Sequence, residues 1–395
     1  MSKKRRSRQL SARLDIHVSD STELDTENWD FVGSNTQYLL HNIHPYPAKF
    51  IPQIPKRAIA RWSEPGDLVL DPFCGCGTTL LECALAGRNS IGVDNNEVAT
   101  LVSRAKVAEY NETALVALSE LVEDIDKIWK GQIHLEREKW ISQAPDYNSR
   151  KKWFNDSAVA ELSWLRSRVR ELMEPALLLG MAVFSSLIVL SSRQDSDTRY
   201  AAVERPYSEG TATRLWIIRT RDAIRRARNT TKSRKPSQHK VYNADSRQLP
   251  FIDDESINLL VTSPPYLNAY DYHKYHRHRL HWIDANISFA RDLEIGKHDT
   301  YTRPGAKPEP FFKDLKRCMC EWKRVLRPEA RALILIGDAI VNKEFVRVGE
   351  RLSGLGQELG FELERRWVRN VDTTRKSFNQ RARIKREHLL LFKKH

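Results

Sequence analysis

Leu68-Val69-Leu70-Asp71-Pro72-Phe73-Cys74-Gly75-Cys76-Gly77-Thr78-Thr79 decides how this chain folds. Three apolar residues ending in an acid read as a buried strand, and two glycines one residue apart as a tight loop. The apolar run Leu80–Ala86, stopped by Gly87, reads as a helix, and Ser90-Ile91-Gly92-Val93-Asp94 as a second strand. Strand, loop, helix, strand is the opening of a parallel α/β sheet. The backbone N–H groups of such a loop can approach a ligand closely, and the helix start behind it favours a carboxylate or phosphate.

Asp94 ends its strand 17 residues after Gly77, near the spacing at which an acid accepts from ribose hydroxyls. The third glycine of a dinucleotide fingerprint is missing, and the loop begins Asp-Pro-Phe. A sulfonium nucleoside, with a carboxylate and an ammonium where a dinucleotide has pyrophosphate, suits this loop better. Thr78 and Thr79 then face the carboxylate and Asp71 the cation.

A second feature follows the apolar run Ile257–Val261: Thr262-Ser263-Pro264-Pro265-Tyr266. Prolines fix φ near −65° and donate no hydrogen bond, so carbonyls beside them stay open to an outside donor. The Ser263 hydroxyl adds a second acceptor, and Tyr266 a face for a flat ring. Together they read as a grip for a planar exocyclic amine. Beyond it, Asn268–Arg279 mixes aromatics with cations, including Tyr272, Lys274 and Arg277, as suits base stacking and phosphate contact. Ser192–Tyr200 is a further candidate for the same cleft.

Asp-Pro-Phe-x-Gly-x-Gly-Thr-Thr, Thr-Ser-Pro-Pro-Tyr and His44-Pro45-Tyr46-Pro47-Ala48-Lys49-Phe50 together resemble the S-adenosylmethionine-dependent amino-methyltransferases of DNA, especially the cytosine-N4 branch. The resemblance covers roughly residues 38–110 and 241–395. It implies a Rossmann-like class I methyltransferase fold with a mostly parallel seven-stranded sheet. It also implies that Asp71, Phe73, Gly75, Gly77 and Thr78 line the cofactor, that Asp94 holds its ribose and Asp245 its adenine, and that His44 to Phe50, with Lys49, pack around its methionine end. Ser263, Pro264, Pro265 and Tyr266 become the catalytic segment acting on a flipped cytosine in double-stranded DNA. Adenine-N6 methylation and RNA amino-methylation are the alternatives. Serine at 263, rather than aspartate, leans toward cytosine. No cysteine follows a proline, which argues against methylation at a ring carbon. A cognate restriction endonuclease is the partner such an enzyme implies.

A formal net charge of +14 is unevenly placed. Residues 1–14 hold six basic and no acidic side chains, residues 214–240 ten and one, and residues 361–395 eleven and four. Such clusters fit a polyanion partner, and Arg225, Arg226 and Arg228 are the candidate DNA contacts. Five cysteines without a second pair at zinc spacing indicate neither a disulfide framework nor a metal site. The polar start lacks an apolar core for a signal peptide, and the apolar run Pro175–Leu190 is too short to span a bilayer, pointing to a cytoplasmic protein. The chain divides into a basic tail at 1–25, a first catalytic part at 26–110, a mostly helical insertion at 111–240 and a second catalytic part at 241–395. That insertion departs from the family's usual arrangement of target-recognition segments.

Overall fold

The computed structural model describes residues 27–130, 136–370 and 386–395. The expected basic tail at 1–25 lies outside them, as do several cations of the 361–395 cluster. Seven strands form one sheet: β1 (Leu68–Asp71), β2 (Asn89–Asp94), β3 (His239–Asn243), β4 (Ile257–Thr262), β5 (Leu326–Gly337), β6 (Phe361–Asn370) and β7 (Arg386–Lys394). Their spatial order is β6-β7-β5-β4-β1-β2-β3. Every pair from β5 to β3 is parallel, and only β7 runs against its neighbours β5 and β6. The expected α/β methyltransferase architecture is therefore present.

Alternation along the strands explains why both faces are covered. Val69, Leu259, Leu333 and Leu391 point to one side, against Trp29 and Ile54, Ala58 and Ile59 of α1 (Gln53–Trp62). Leu70, Leu260, Ile334 and Leu390 point to the other, and share a core with residues of two later helices, Glu309–Val325 and Val348–Glu358. β5 starts six residues before the Ala332–Ile336 expected from its apolar run. Leu326 already pairs with Ile257, and the register then shifts beside Glu329, whose φ is 66°.

Helix α2 (Thr78–Ala86) follows the glycine loop and α3 (Glu97–Val107) follows β2. The Asn96 side chain caps α3 by accepting from the Val98 N–H at 3.0 Å. Residues between α3 and β3 form α4 (Glu112–Lys130), α5 (Asp156–Val169), α6 (Ala176–Leu187) and α7 (Thr211–Ser233). Their apolar faces are continuous with the catalytic half: Leu118, Leu162, Phe184 and Trp216 join Leu81, Val102 and Ala105 in one buried cluster. The basic stretch at 214–240 is largely the outer face of α7, whose inner face buries Trp216, Ile217, Thr220, Ala223 and Ala227. No helix among the described residues is long and apolar enough to cross a membrane.

The sheet order reverses between β1 and β4, because β2 and β3 extend one way and β4 and β5 the other. Ligands in open α/β sheets bind outside the carboxyl ends of strands at such a point. Asp71, Asp94 and Thr262 each end one of the three strands concerned.

Candidate active site

A cleft opens at that reversal, lined by residues from both sequence features: Lys49, Phe50, Asp71, Phe73, Gly75, Thr78, Asp94, Asp245, Ser263, Pro265 and Tyr272. The two loops, nearly two hundred residues apart in the chain, are joined directly. Thr262 Oγ1 donates to Asp71 Oδ1 at 2.7 Å, and the Phe73 N–H donates to the same oxygen at 3.2 Å. Asp71 is buried, which pushes its carboxyl up to about 6 against the pull of these hydrogen bonds.

Asp94 accepts from the Gly75 N–H at 2.9 Å through one oxygen and from the Asn96 N–H at 2.9 Å through the other. The carboxylate thus shapes the glycine loop while keeping a lone pair on each oxygen. Burial pushes it up to about 7. Gly75 and Gly77 have φ of 49° and 74°. Their reasons for being glycine differ. A Cβ on Gly75 meets only the Tyr46 ring at 3.6 Å, whereas one on Gly77 would sit 2.9 Å from the Ser103 backbone of α3. Gly77 lets α2 begin against α3 and does not line the cleft. Thr78 lines it, while Thr79 is fully buried behind.

The segment before α1 closes one side. Tyr46 and Lys49 line the cleft, and Lys49 Nζ donates to the His41 carbonyl at 3.3 Å. His41 Nε2 and the Tyr38 hydroxyl both reach Glu82 Oε1 on α2, fixing the segment to the helix. His44 is buried against Ser185 of α6, with Nε2 and Oγ 3.1 Å apart. Phe73 forms a wall and meets Trp322 edge-on at 6.3 Å. Asp245 accepts from the Arg247 N–H at 3.0 Å and from Arg247 Nε at 2.9 Å, and Arg247 also reaches Asp314. Its neighbour Ser246 is buried and donates to the Pro72 carbonyl, bolting this loop to the first one.

On the opposite side, Ser263 and Pro265 face the cleft and Pro264 is buried. The Tyr266 hydroxyl donates to Glu387 Oε1 of β7 at 2.8 Å, with the Ser263 side chain beside it. Glu387 pairs in turn with Arg369 at 3.2 Å. Tyr266 itself does not line the cleft; Tyr272 does, stacked beside Tyr46 with ring centroids 6.3 Å apart. Tyr272 is held by Glu294, whose oxygens accept from the Tyr272 N–H at 2.6 Å and the His273 N–H at 3.1 Å. Glu294, Asn95 and Ser246 are cleft residues that sequence reasoning missed. Glu294 lies in an unremarkable polar stretch, and nothing in its neighbours signals a contact 22 residues back.

The expected DNA contacts are dispersed. Arg225 pairs with Asp222; Arg226 pairs with Asp222 and donates to the carbonyls of Gln37 and Leu39 at 2.9 and 3.0 Å. Arg228 makes a two-pronged pair with Glu112 of α4 at 3.0 and 2.9 Å. Lys274 is held by Asp271 and Asp299, and Arg277 is exposed beside Tyr200. Ser192–Tyr200 forms a small hairpin with its continuation, outside the cleft lining; its Gln194 Nε2 reaches the Tyr275 carbonyl at 3.4 Å. No group of three or more His, Cys, Asp or Glu side chains suited to a metal occurs among the described residues.

Residues 2–103 match the family model for N6/N4 enzymes described as DNA methylase. The type II methyltransferase M.MjaII of Methanocaldococcus jannaschii is 24% identical over 76% of this chain and 72% of its own. M.MvaI of Kocuria varians is 27% identical over 65% of this chain and 60% of its own. A putative DNA modification methylase of Thermus thermophilus, complexed with S-adenosyl-L-methionine, overlays 38% of this chain and 53% of its own at 21% identity and a TM-score of 0.26.

Proposed function

We propose that this chain, which belongs to the N6/N4 DNA methylase family, transfers a methyl group from S-adenosylmethionine to the exocyclic N4 amine of a cytosine flipped out of double-stranded DNA. The carrying observation is that Ser263 and the acids Asp71 and Asp94 face one cleft. The cofactor supplies an electrophilic methyl carbon on a sulfonium. The residues present fit it: two buried carboxylates favour its cationic end, and the spare lone pairs of Asp94 suit a ribose diol. Asp245, Phe73 and Lys49 would complete its surroundings.

The acceptor side explains how a poor nucleophile is made competent. The Tyr266 hydroxyl gives its proton to Glu387, so toward Ser263 its oxygen can only accept. A Ser263 proton directed at Tyr266 would leave the serine lone pairs for an amine N–H. With the Pro264 carbonyl as a second acceptor, both N–H bonds of the amine are held and its lone pair is localised and aimed. No strong base is needed if the proton leaves after transfer. Serine rather than aspartate at 263 favours cytosine over adenine.

The test is to incubate the protein with labelled S-adenosylmethionine and plasmid DNA or tRNA, digest to nucleosides, and identify the product by mass. N4-methylcytosine from the plasmid is expected. N6-methyladenine alone would overturn the base assignment, and label confined to tRNA the DNA assignment. By the same reading, a restriction endonuclease with the same recognition sequence is the expected partner.

A further inference from the structure

We infer that the hairpin Ala339–Val346 is an apolar wedge that enters the DNA helix beside the flipped base; this rests on the reading of the cleft given above. The hairpin follows β5 at the carboxyl edge of the sheet, next to β4 and the Ser263 segment. It is fastened there: Asn268 Nδ2, five residues beyond Ser263, donates to the Ile340 carbonyl at 2.7 Å, and Asn342 Nδ2 donates to the Ala306 carbonyl at 2.5 Å.

Its two faces differ sharply. Ala339, Val341 and Val346 are buried in the core, whereas Ile340 and Phe345 pair across the strands on the other face and are 45% and 63% exposed. Two large apolar side chains thus lie side by side and exposed on a hairpin fastened to the segment that carries Ser263. Charge identifies their partner. Lys343 at the tip and Arg303 and Lys307 on the adjoining loop are exposed and have no ion-pair partner among the described residues. Glu344 is the one acid on the hairpin. Apolar tips collared by cations match a duplex, where phosphates meet the collar and a wedge fills the gap an extruded base leaves.

The turn supports this use. Asn342 and Lys343 have φ of 50° and 69°, the left-handed pair a two-residue hairpin turn demands. Glycine would take the second position without strain. The turn thus carries the Lys343 charge at the tip of the hairpin.

The recognition sequence is first fixed by sequencing a methylated plasmid. Ile340→Ser/Phe345→Ser and Lys343→Gly are then compared with the wild type on two duplexes carrying that site, one fully matched and one with the target base mispaired. A mispaired base costs less to extrude, so the wedge matters less. The double variant is expected to lose about thirtyfold in kcat/KM on the matched duplex and no more than about threefold on the mispaired one. Its cofactor affinity by calorimetry should be unchanged. Lys343→Gly, which relieves the turn, should weaken DNA binding and lower its salt slope by about one. Equal losses on both duplexes, or no loss on either together with an unchanged salt slope for Lys343→Gly, would overturn the wedge. A wild type that methylates no DNA at all would instead refute the parent reading.

Discussion

The two banks of the cleft are held by different means. On the donor bank, Asp71 and Asp94 stand at the strand ends themselves and accept from the backbone N–H groups of the loops that follow, and Asp71 also from Thr262. On the acceptor bank, the loop is held by carboxylates that lie outside the cleft-forming strand end, Glu387 of β7 on Tyr266 and Glu294 on the turn at Tyr272. Damage to the first should therefore disturb folding and cofactor binding together. Damage to the second should slow turnover while the cofactor still binds.

Gly77→Ala gives the largest expected effect. The new methyl would lie 2.9 Å from the Ser103 Cα at a φ of 74°, so stability should fall by about 3 kcal/mol, and cofactor affinity with it. Denaturant unfolding and calorimetry on one sample measure both. Ser263→Ala, on the other bank, should reduce kcat about a hundredfold and leave cofactor affinity within about twofold. An equal loss in both would erase the distinction between the banks.

Asp94 offers a test by pH. Its folded carboxyl protonates near 7, whereas an unfolded aspartate does so near 3.8. Between those values the folded state binds more protons, so the stability of the cofactor-free protein should fall as pH rises through that window. Cofactor affinity should run the opposite way, weakening about tenfold per pH unit below about 7, because a protonated Asp94 loses an acceptor. Asp94→Asn should flatten both profiles between about pH 6 and 7, leaving at lower pH the dependence that Asp71 contributes. The smallest effect is expected on α7. Arg228→Ala removes an exposed pair and should leave the denaturation midpoint close to that of the wild type. Arg225, Arg226 and Arg228 act as DNA contacts only if their joint neutralisation lowers the salt slope of binding as much as neutralising Arg303, Lys307 and Lys343 does.

What the sequence made legible follows the same division. Leu68–Asp71, Ile257–Val261 and the glycine loop declare themselves because apolar runs end abruptly in polar residues, and those ends are where a parallel sheet places its site. The strands at Leu68–Asp71, Ser90–Asp94 and Ile257–Val261 were readable for that reason, and Asp71 and Asp94 with them, whereas the full set of seven came from the family resemblance. Glu294, Glu387 and Ser246 were not, since each acts through contacts with a segment far away in the chain. Charge was the least transparent signal. The 214–240 cluster stands out in composition, yet Asp222 and Glu112 bind three of its arginines. The sparse cations Arg303, Lys307 and Lys343 are inconspicuous in composition, though they flank an exposed apolar pair. Counting charges finds helices with wet faces; only pairing separates a neutralised surface from one awaiting a counterion.

Strand β7 has one more consequence. It lies between β5 and β6 yet follows both in the chain, so neither neighbour is completed until it slots in. Glu387 travels on that strand. The Tyr266 hydroxyl therefore has its acceptor only when β7 is seated between its neighbours.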